Sequence, residues 1–186
     1  MDGALSVGYP TLCPVMTVLF RTERLVIRTL TDDDAPALHD LHRSEAVMRW
    51  LDRTLSNGVA DELARIARWR AYEKDGYGFF AIALPETDEL VGVLVLKPFD
   101  DKPYVDLGWR LRPDHQGRGY ATEAARGAIG YAFGTLGLGE LAAVTLPDNV
   151  RSRAVMERLG MTYSGEVEHA GLPHVLYLLR RTTRDG

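Results

Sequence analysis

The apolar positions of this chain follow two different periods, and the changes between them mark the predicted elements. Residues 18–28 are extended in character, with an apolar centre at residues 25–27. A helix is then predicted to begin at Thr31, because threonine is a favoured N-cap and the three aspartates after it suit the positive end of the helix dipole. Over residues 59–74, apolar residues recur at spacings of four, three and three, which predicts a second helix.

From residue 78 onward the pattern alternates between strands and helices. Short apolar runs separated by a polar turn predict a hairpin over residues 78–96, and a third strand follows over residues 104–111. The remaining chain predicts helix, strand, helix and two strands, over residues 119–136, 141–146, 149–159, 163–167 and 174–179. The order β-αα-βββ-α-β-α-ββ is typical of an α/β (α+β) fold, in which helices cover a mixed sheet.

The first residues of the chain do not share this patterning. Residues 1–17 contain two glycines and two prolines and follow neither the helical nor the strand period. They are expected to form a disordered N-terminal extension, with a true start of translation at Met16 as the alternative. Residues 18–181 are expected to form a single domain, and residues 182–186 a short tail.

Composition narrows the class of protein. With 186 residues, 46% of them apolar and 26% charged, the chain is long enough for one well-filled core but short for two domains. The formal net charge of −4 gives no indication of a nucleic-acid partner. Because Cys13 is the single cysteine, an intramolecular disulfide and a cysteine-built zinc site are both excluded.

The hydropathy pattern gives no sign of a membrane partner. No apolar run approaches the roughly 18–20 residues that span a bilayer. The first twenty residues also lack the basic-then-apolar pattern of a signal peptide. A soluble, cytoplasmic protein is therefore expected.

The basic residues are unevenly divided, with nineteen arginines and three lysines. A GC-rich genome is the simpler explanation. The alternative is selection for guanidinium groups, whose forked geometry suits phosphate. The second explanation requires particular arginines at a phosphate site, and Arg112 and Arg118 are the candidates.

Residues 105–121 carry the most chemical information, because a strand there runs into a polar loop and then into a helix rich in small residues. Gly117 and Gly119 lack a Cβ atom, so the backbone can turn tightly and an anion can come close. At a helix start the N–H groups converge, and the dipole adds about half a positive charge. This arrangement predicts a phosphate site at residues 116–121. A plain strand–turn–helix connection is the alternative.

A second informative segment covers residues 147–161. Its apolar positions repeat at the spacing of a short helix. Asn149 can serve as the N-cap and Gly160 can end the helix, and local structure requires nothing more. The functional alternative is that Asn149 and Ser152 face a ligand held by the first segment.

Together these segments resemble the GCN5-related N-acetyltransferase (GNAT) superfamily. Residues 116–124, written Gln-Gly-Arg-Gly-Tyr-Ala-Thr-Glu-Ala, resemble the loop with which that family binds the pyrophosphate of acetyl-CoA. Residues 149–161 resemble the family's following helix, with Asn, Ser, Val, Glu, Leu, Gly and Met at the matching positions. Residues 106–109 and 22–28 resemble the strand before the loop and the opening strand, so the match spans residues 18–181 in order. The resemblance is closest to the branch that contains the ribosomal-protein N-terminal (alanine) acetyltransferases.

The resemblance implies a GNAT-like acyl-CoA N-acyltransferase fold, in which two central strands part and leave backbone groups free for the pantetheine arm of acetyl-CoA. It also implies direct transfer, in which a primary amine attacks the thioester without a metal or a covalent enzyme intermediate. The acceptor is either a protein N-terminus or a small amine such as an antibiotic or a polyamine. The implied cofactor-binding residues are Leu107, Trp109, Leu111, Arg112, Gln116, Gly117, Arg118, Gly119, Tyr120, Ala121, Thr122, Asn149 and Ser152.

The sequence departs from the family where a proton donor is expected. Many members have a tyrosine just before the glutamate of the last helix, but Met156 occupies that position here and cannot donate a proton. Tyr163 and Ser152 are the candidate substitutes. Asp106 is the candidate for accepting the amine proton, directly or through water. The alternative for Asp106 is a carboxylate on the exposed face of a strand.

Three histidines are candidate ligands. His115 precedes the glycine loop and is expected to be solvent-exposed, with contact near the cofactor as the alternative. His39 and His42 lie three positions apart on a predicted helix. No third ligand has a readable spacing, so no metal site is expected.

The acceptor groove is implied at residues 45–60, 98–104 and 168–174. Asp100 and Asp101 within it are either a charged turn or an attraction for a cationic acceptor. Two other functions stay open at this point: a non-catalytic acyl-CoA-binding or regulatory module, favoured by the missing tyrosine, and nucleotide binding without acyl transfer. The oligomeric state is open as well, and a homodimer through the C-terminal strands is compatible with the sequence.

Overall fold

The computed structural model describes residues 16–51, 55–99 and 102–182. These form one eight-stranded mixed sheet with helices packed on its two faces, so the α/β class expected from the pattern is confirmed. The expectations for the N-terminal extension and the C-terminal tail fall mostly on residues 1–15 and 183–186, which lie outside the described residues.

The elements follow the predicted order with two additions. The strands are β1 (Val18–Arg21), β2 (Val26–Thr29), β3 (Gly78–Ala83), β4 (Leu90–Pro98), β5 (Val105–Leu111), β6 (Glu140–Thr145), β7 (Thr162–His169) and β8 (Leu172–Arg180). The helices are α1 (Ala35–His42), α2 (Glu45–Met48), α3 (Val59–Arg70), α4 (Tyr120–Gly134) and α5 (Val150–Arg158). The sheet order is β1-β2-β3-β4-β5-β6-β8-β7, and of its neighbouring pairs the β5–β6 pair is parallel while the others are antiparallel.

The expectation of one extended segment over residues 18–28 is wrong, because β1 and β2 form an antiparallel pair there. The turn between them is closed by a bond from Thr22 N–H to the Leu25 carbonyl (2.9 Å). Glu123 of α4, far along the chain, accepts hydrogen bonds from the Thr22 hydroxyl (2.6 Å) and the Arg24 N–H (2.9 Å). A contact with a distant helix thus supports a bend that local apolar spacing does not show. The short helix α2 was not predicted either.

The strands β5 and β6 meet at one end and then part. All seven residues of β5 pair with β4, but the register with β6 consists of one pair, Asp106 with Ala142. Beyond it, residues 107–111 and 143–145 diverge. Since alternate peptide groups of a strand point to opposite sides, those of β5 that face away from β4 line the gap beyond Asp106. The open wedge between β5 and β6 is therefore lined by backbone as well as side chains.

Helix α4 lies close to the sheet beside this wedge, as its small residues predict. Ala124, Ala125, Ala128 and Ala132 are fully buried against the strands. A Cβ atom on Gly127 would come within 2.5 Å of the Phe20 ring, so the absence of a side chain there permits the close approach. The start of α4 is consequently held in a set position at the mouth of the wedge.

On the opposite face, α1 and α3 bury a hydrogen-bonded pair, His42 and Glu62. Both side chains are fully buried, and Nδ1 of His42 donates to the Glu62 carboxylate across 2.9 Å. Burial, opposed by the bond to Glu62 and helped by the nearby charge of Arg110, lowers the pKa of His42. Burial would raise the pKa of Glu62, but the hydrogen bond from His42 and the charge of Arg65 lower it overall.

These two shifts predict that the protein loses stability as the pH falls. Below its ordinary pKa near 6.5, His42 takes up a proton more readily in the unfolded chain, so unfolding is favoured. The contribution of the Glu62 carboxylate is present above its ordinary pKa and is lost as the pH falls through its lowered pKa. Urea unfolding of the wild type and His42→Gln from pH 7.5 to 5 is expected to show the steeper loss of unfolding free energy in the wild type. Parallel pH slopes would contradict the assignment.

Candidate functional site

The wedge between β5 and β6 opens into a cavity of about 1890 Å³. Ligand pockets usually have roughly 300–1,000 Å³, so the space is ample for two substrates together. The cavity brings together twelve of the residues expected from the sequence: Asp106, Leu107, Trp109, Leu111, Gln116, Gly117, Gly119, Tyr120, Ala121, Thr122, Asn149 and Ser152.

One end of the cavity is the glycine loop that precedes α4. Gly117 and Gly119 have φ of +77° and +84°, which most other residues adopt only with strain. Gln116 closes the loop onto β5 by donating from Nε2 to the Leu111 carbonyl (3.1 Å). The side-chain oxygen of Gln116 accepts from Arg151 of α5 (3.3 Å). The loop is thus tied to both walls of the cavity, and it lies at the positive end of a fifteen-residue helix.

Arg24 holds this loop from the turn between β1 and β2. Its guanidinium donates to Glu123 (2.7 Å) and to the Arg118 carbonyl (3.1 Å), and it lies 5.0 Å from the centre of the Tyr120 ring. Burial would raise the pKa of Glu123, but hydrogen bonds from Thr22 and Arg24 lower it overall. Glu123 is therefore ionised at neutral pH and keeps Arg24 against the loop.

The arginines that line the cavity differ from those expected. Arg112 is not among them, because its guanidinium is bound by Glu89 and Asp114 (3.0 Å each). The side chain of Arg118 is likewise absent from the lining among the described residues. Six arginines that sequence reasoning did not single out line the cavity instead, and Arg24 and Arg151 bond to the loop itself: Arg24, Arg49, Arg110, Arg126, Arg151 and Arg158. Nothing local distinguishes these from the other arginines of the chain.

The expectation that His115 is solvent-exposed is wrong. Its side chain is 8% exposed, with Nε2 at 3.3 Å from Glu89 and 3.5 Å from Asp114. Its ring stacks on Tyr120 at a centroid distance of 6.4 Å. The His115 ring therefore supports the glycine loop through its contact with Tyr120, the first residue of α4.

One wall of the wedge is formed by β5. Strand β5 lines the cavity with side chains from both faces of the sheet. One face carries Leu107, Trp109 and Leu111, and the other carries Asp106 and Arg110. Asp106 is half-buried, so its alternative interpretation as an exposed strand carboxylate is wrong.

Helix α5 supplies the wall that faces β5. Asn149 caps it, since its side-chain oxygen accepts from the Ser152 N–H (3.3 Å), while its Nδ2 donates to the Thr145 hydroxyl (3.0 Å). Asn149 and Ser152 also line the cavity, so the capping and the site-lining interpretations both hold. Met156 lines the cavity one turn further on and is 1% exposed, at the position where the family resemblance led us to expect a tyrosine.

Tyr163, the other candidate proton donor, does not lie in the cavity. It is 52% exposed, its ring packs edge-on against Tyr177 at 5.7 Å, and it is not among the described lining residues. It follows the turn after α5 and pairs across the strands with Tyr177. Among the substitutes expected from the sequence, Ser152 is the one that lies in the cavity.

The far end of the cavity is lined by residues of two of the three expected groove segments, 45–60 and 168–174, while no described residue of 98–104 lines it. It is lined from three directions, by α2 and its following turn, by β4, and by the β7–β8 hairpin: Val47, Arg49, Trp50, Val95, Lys97, His169 and His174. Of the expected groove segments, residues 52–54, 100 and 101 lie outside the described residues. Sequence reasoning did not single out His169 or His174, since strand histidines without a motif carry no signal.

The described residues were also compared with the requirements of a membrane span and of a metal site. None of the described helices is long and apolar enough to cross a membrane. Within residues 16–51, 55–99 and 102–182, no three histidine, cysteine, aspartate or glutamate side chains cluster as metal ligands would.

Comparison with known proteins places this arrangement in a family. The family profile described as an acetyltransferase (GNAT) domain matches residues 24–162, which include the glycine loop and all the elements from β2 to α5. The chain belongs to the GNAT family of acetyltransferases. The resemblance seen in the sequence is thereby confirmed, and so is membership of a family of N-acetyltransferase enzymes.

Individual relatives agree with the family. The chain is similar to the uncharacterized N-acetyltransferase YnaD of Bacillus subtilis, at 29% identity over 77% of this chain and 82% of YnaD. The crystal structure of an acetyltransferase from Agrobacterium tumefaciens superposes with a TM-score of 0.73 at 31% identity, covering 87% of this chain and 94% of the other. RimJ of Mycobacterium smegmatis, solved in complex with CoA-disulfide, shares the fold at 20% identity, with a TM-score of 0.70 over 84% and 85% of the two chains. Structures of ribosomal-protein acetyltransferases also share the fold.

Proposed function

We propose that this GNAT protein moves the acetyl group of acetyl-CoA to a primary amine, by direct attack in a ternary complex. The observation that carries the proposal is the parting of β5 and β6 immediately before a glycine loop that begins a long helix. A wedge that is edged by strand backbone and leads to an anion site matches a ligand with a peptide-like arm and a diphosphate. The structure of RimJ with CoA-disulfide is compatible with such a ligand in this fold.

The residues present fit acetyl-CoA along the length of the cavity. The N–H groups of the loop, with Arg24, Arg126 and Arg151 around it, provide the positive charge that a diphosphate needs. The edge of β5 that faces away from β4 presents its backbone to the pantetheine arm over residues 107–111, and Trp109 and Leu111 offer apolar contact. Asn149 and Ser152 lie on the facing wall, where the thioester sulfur would emerge.

The chemistry proposed for these residues is orientation and stabilisation of charge. A neutral amine attacks the thioester carbon, and a backbone N–H of the parted β5 stabilises the oxyanion that develops. Ser152 is the candidate hydroxyl for the departing sulfur, because Met156 cannot donate a proton and Tyr163 is not among the described lining residues. The acceptor enters at the far end of the cavity, between the turn after α2 and the β7–β8 hairpin.

The buried Met156 also favours a second candidate function, a non-catalytic acyl-CoA-binding or regulatory module. The two functions share the binding site and differ in turnover. The decisive experiment combines calorimetric binding of acetyl-CoA with thiol release in the presence of spermidine and of peptides that begin with serine or alanine. Mass spectrometry then checks each amine for one added acetyl group.

The enzyme is expected to bind acetyl-CoA and to release thiol with at least one of these amines. Binding without release for every amine of the panel would favour the regulatory module. Displacement of acetyl-CoA by ATP or NAD at similar concentrations would favour general nucleotide binding. Absence of acetyl-CoA binding would overturn both the proposal and the module.

A further inference from the structure

A histidine that no motif marks lies in the acceptor end of the cavity. His174, in β8, is 7% exposed and lines the same space as Asp106. The strand register shows that the two share a face of the sheet. Residues that pair across two strands share a face of the sheet, and so do residues two positions apart on one strand. Asp106 pairs with Ala142, so it shares a face with Val144 two positions further on. Val144 pairs with Leu176, which lies two positions from His174, so His174 is on that face as well. His174 and Asp106 therefore approach the acceptor space from opposite sides of the wedge.

The hydrogen bond of His174 determines which ring nitrogen carries its proton. Nδ1 lies 3.0 Å from the Leu172 carbonyl oxygen. A carbonyl can only accept, so Nδ1 is the protonated nitrogen of the neutral ring. Nε2 then keeps its lone pair. A short bond within the same strand thus holds the imidazole in the tautomer of a base.

The surroundings of His174 include other titratable and charged groups. The ring of His169 meets it edge-on at 5.3 Å, and His169 in turn packs on Phe99 at 5.1 Å. The charged side chains that line the cavity on the acceptor side come from β4, β5 and the turn after α2: Lys97, Asp106, Arg110 and Arg49.

We propose that Nε2 of His174 accepts the proton of the attacking amine, directly or through one water. This inference rests on the proposed acetyltransferase function. An amine that enters as its ammonium ion gives one proton to Nε2 and becomes neutral. Its lone pair forms the C–N bond, and the C–S bond breaks with its electron pair left on sulfur. The nitrogen loses a second proton as the amide forms, the sulfur takes up one proton, and His174 returns its own to solvent.

Asp106 was expected to accept the amine proton, and it has a different role if His174 does so. An imidazole changes its protonation near neutral pH, whereas a carboxylate ordinarily holds a proton only in acid. Asp106 is better suited to attract the ammonium ion at the base of the wedge. Proton acceptance then belongs to a side chain from the other half of the sheet.

The test is the pH dependence of His174→Gln with the most active amine of the panel. We expect kcat to fall about 100-fold and KM for both substrates to stay within about threefold, as for the loss of a general base. The loss of activity of the wild type toward acid pH is expected to disappear in the variant. His39→Gln is the matched control, since His39 lies on α1, bonds to Ser56 and does not line the cavity. It should retain both kcat and the acid limb.

A second measurement examines the tautomer without turnover. Nitrogen-15 NMR of the wild type, with His174→Gln for assignment, is expected to show Nδ1 protonated and Nε2 bare at pH 8. A proton on Nε2 would overturn the inference. Wild-type turnover with an unchanged acid limb in His174→Gln would overturn the inference alone. Absence of turnover in the wild type would contradict the proposed function, and the inference with it.

Discussion

Gly119→Glu is expected to abolish acetyl-CoA binding, with a loss of affinity of at least about 100-fold. Gly119 is the N-cap of α4, so its N–H and those after it would face the diphosphate. A glutamate there puts a carboxylate into the anion site. The nearest atom to an added Cβ is Nη2 of Arg24, at 3.4 Å, so the new carboxylate also draws that guanidinium away from a ligand. Isothermal titration with acetyl-CoA measures the effect.

Two companion variants separate charge from backbone strain. Gly119→Ala imposes a left-handed conformation, with φ of +84°, on an ordinary residue and is expected to cost about 1–2 kcal/mol of stability while retaining binding. Gly130→Glu places the same carboxylate on the same helix, where no atom lies within 4 Å of the added Cβ. Its acetyl-CoA affinity should stay near that of the wild type. Wild-type affinity in Gly119→Glu would sink the assignment of the loop.

Arg28→Met is expected to destabilise the fold by about 3–5 kcal/mol. Arg28 is 2% exposed, and its guanidinium makes a two-pronged contact with Asp34 (2.8 and 2.9 Å) and a third bond to Asp88 (2.8 Å). Burial alone would lower the pKa of Arg28, but the bonds to Asp34 and Asp88 raise it overall. Removing the guanidinium leaves the Asp34 carboxylate buried without its charge partner, which is the costly outcome. Urea unfolding at pH 7.5 measures the loss.

Arg43→Met is the matched control for Arg28→Met. Arg43 also pairs with an aspartate, Asp40, at 2.9 Å, but both side chains are more than half exposed. Solvent-exposed pairs contribute about 0–1 kcal/mol, so this variant should unfold close to the wild type. A loss below about 1 kcal/mol in Arg28→Met would show that Asp34 finds another partner or takes up a proton.

Much of the site was predictable because its signals are local. Gly117 and Gly119 directly precede α4, so their neighbours in the sequence are also their neighbours in space. The positive φ angles of this loop could therefore be inferred from the two glycines alone. The alanines of α4 likewise predict close packing from one helix face. Met156 was recognised as a departure from the family from its place in a short motif.

The rest of the site depends on contacts between distant parts of the chain. Arg24 reaches the loop through Glu123, ninety-nine residues away. Arg112 was expected at the phosphate, but Glu89 across the hairpin binds it instead. Tyr163 was expected beside the thiol, but the register of β7 with β8 turns it toward Tyr177.

By itself, the sequence determined the class of fold, the order of elements, the glycine loop and the family, because periodicity and short motifs are read along the chain. The tertiary structure alone decided the position at which β5 and β6 part, the arginines that surround the loop, and the placement of His174 across the wedge from Asp106. Strand register and packing bring together residues that no local pattern connects, and a one-residue change of register would turn each side chain to the opposite face.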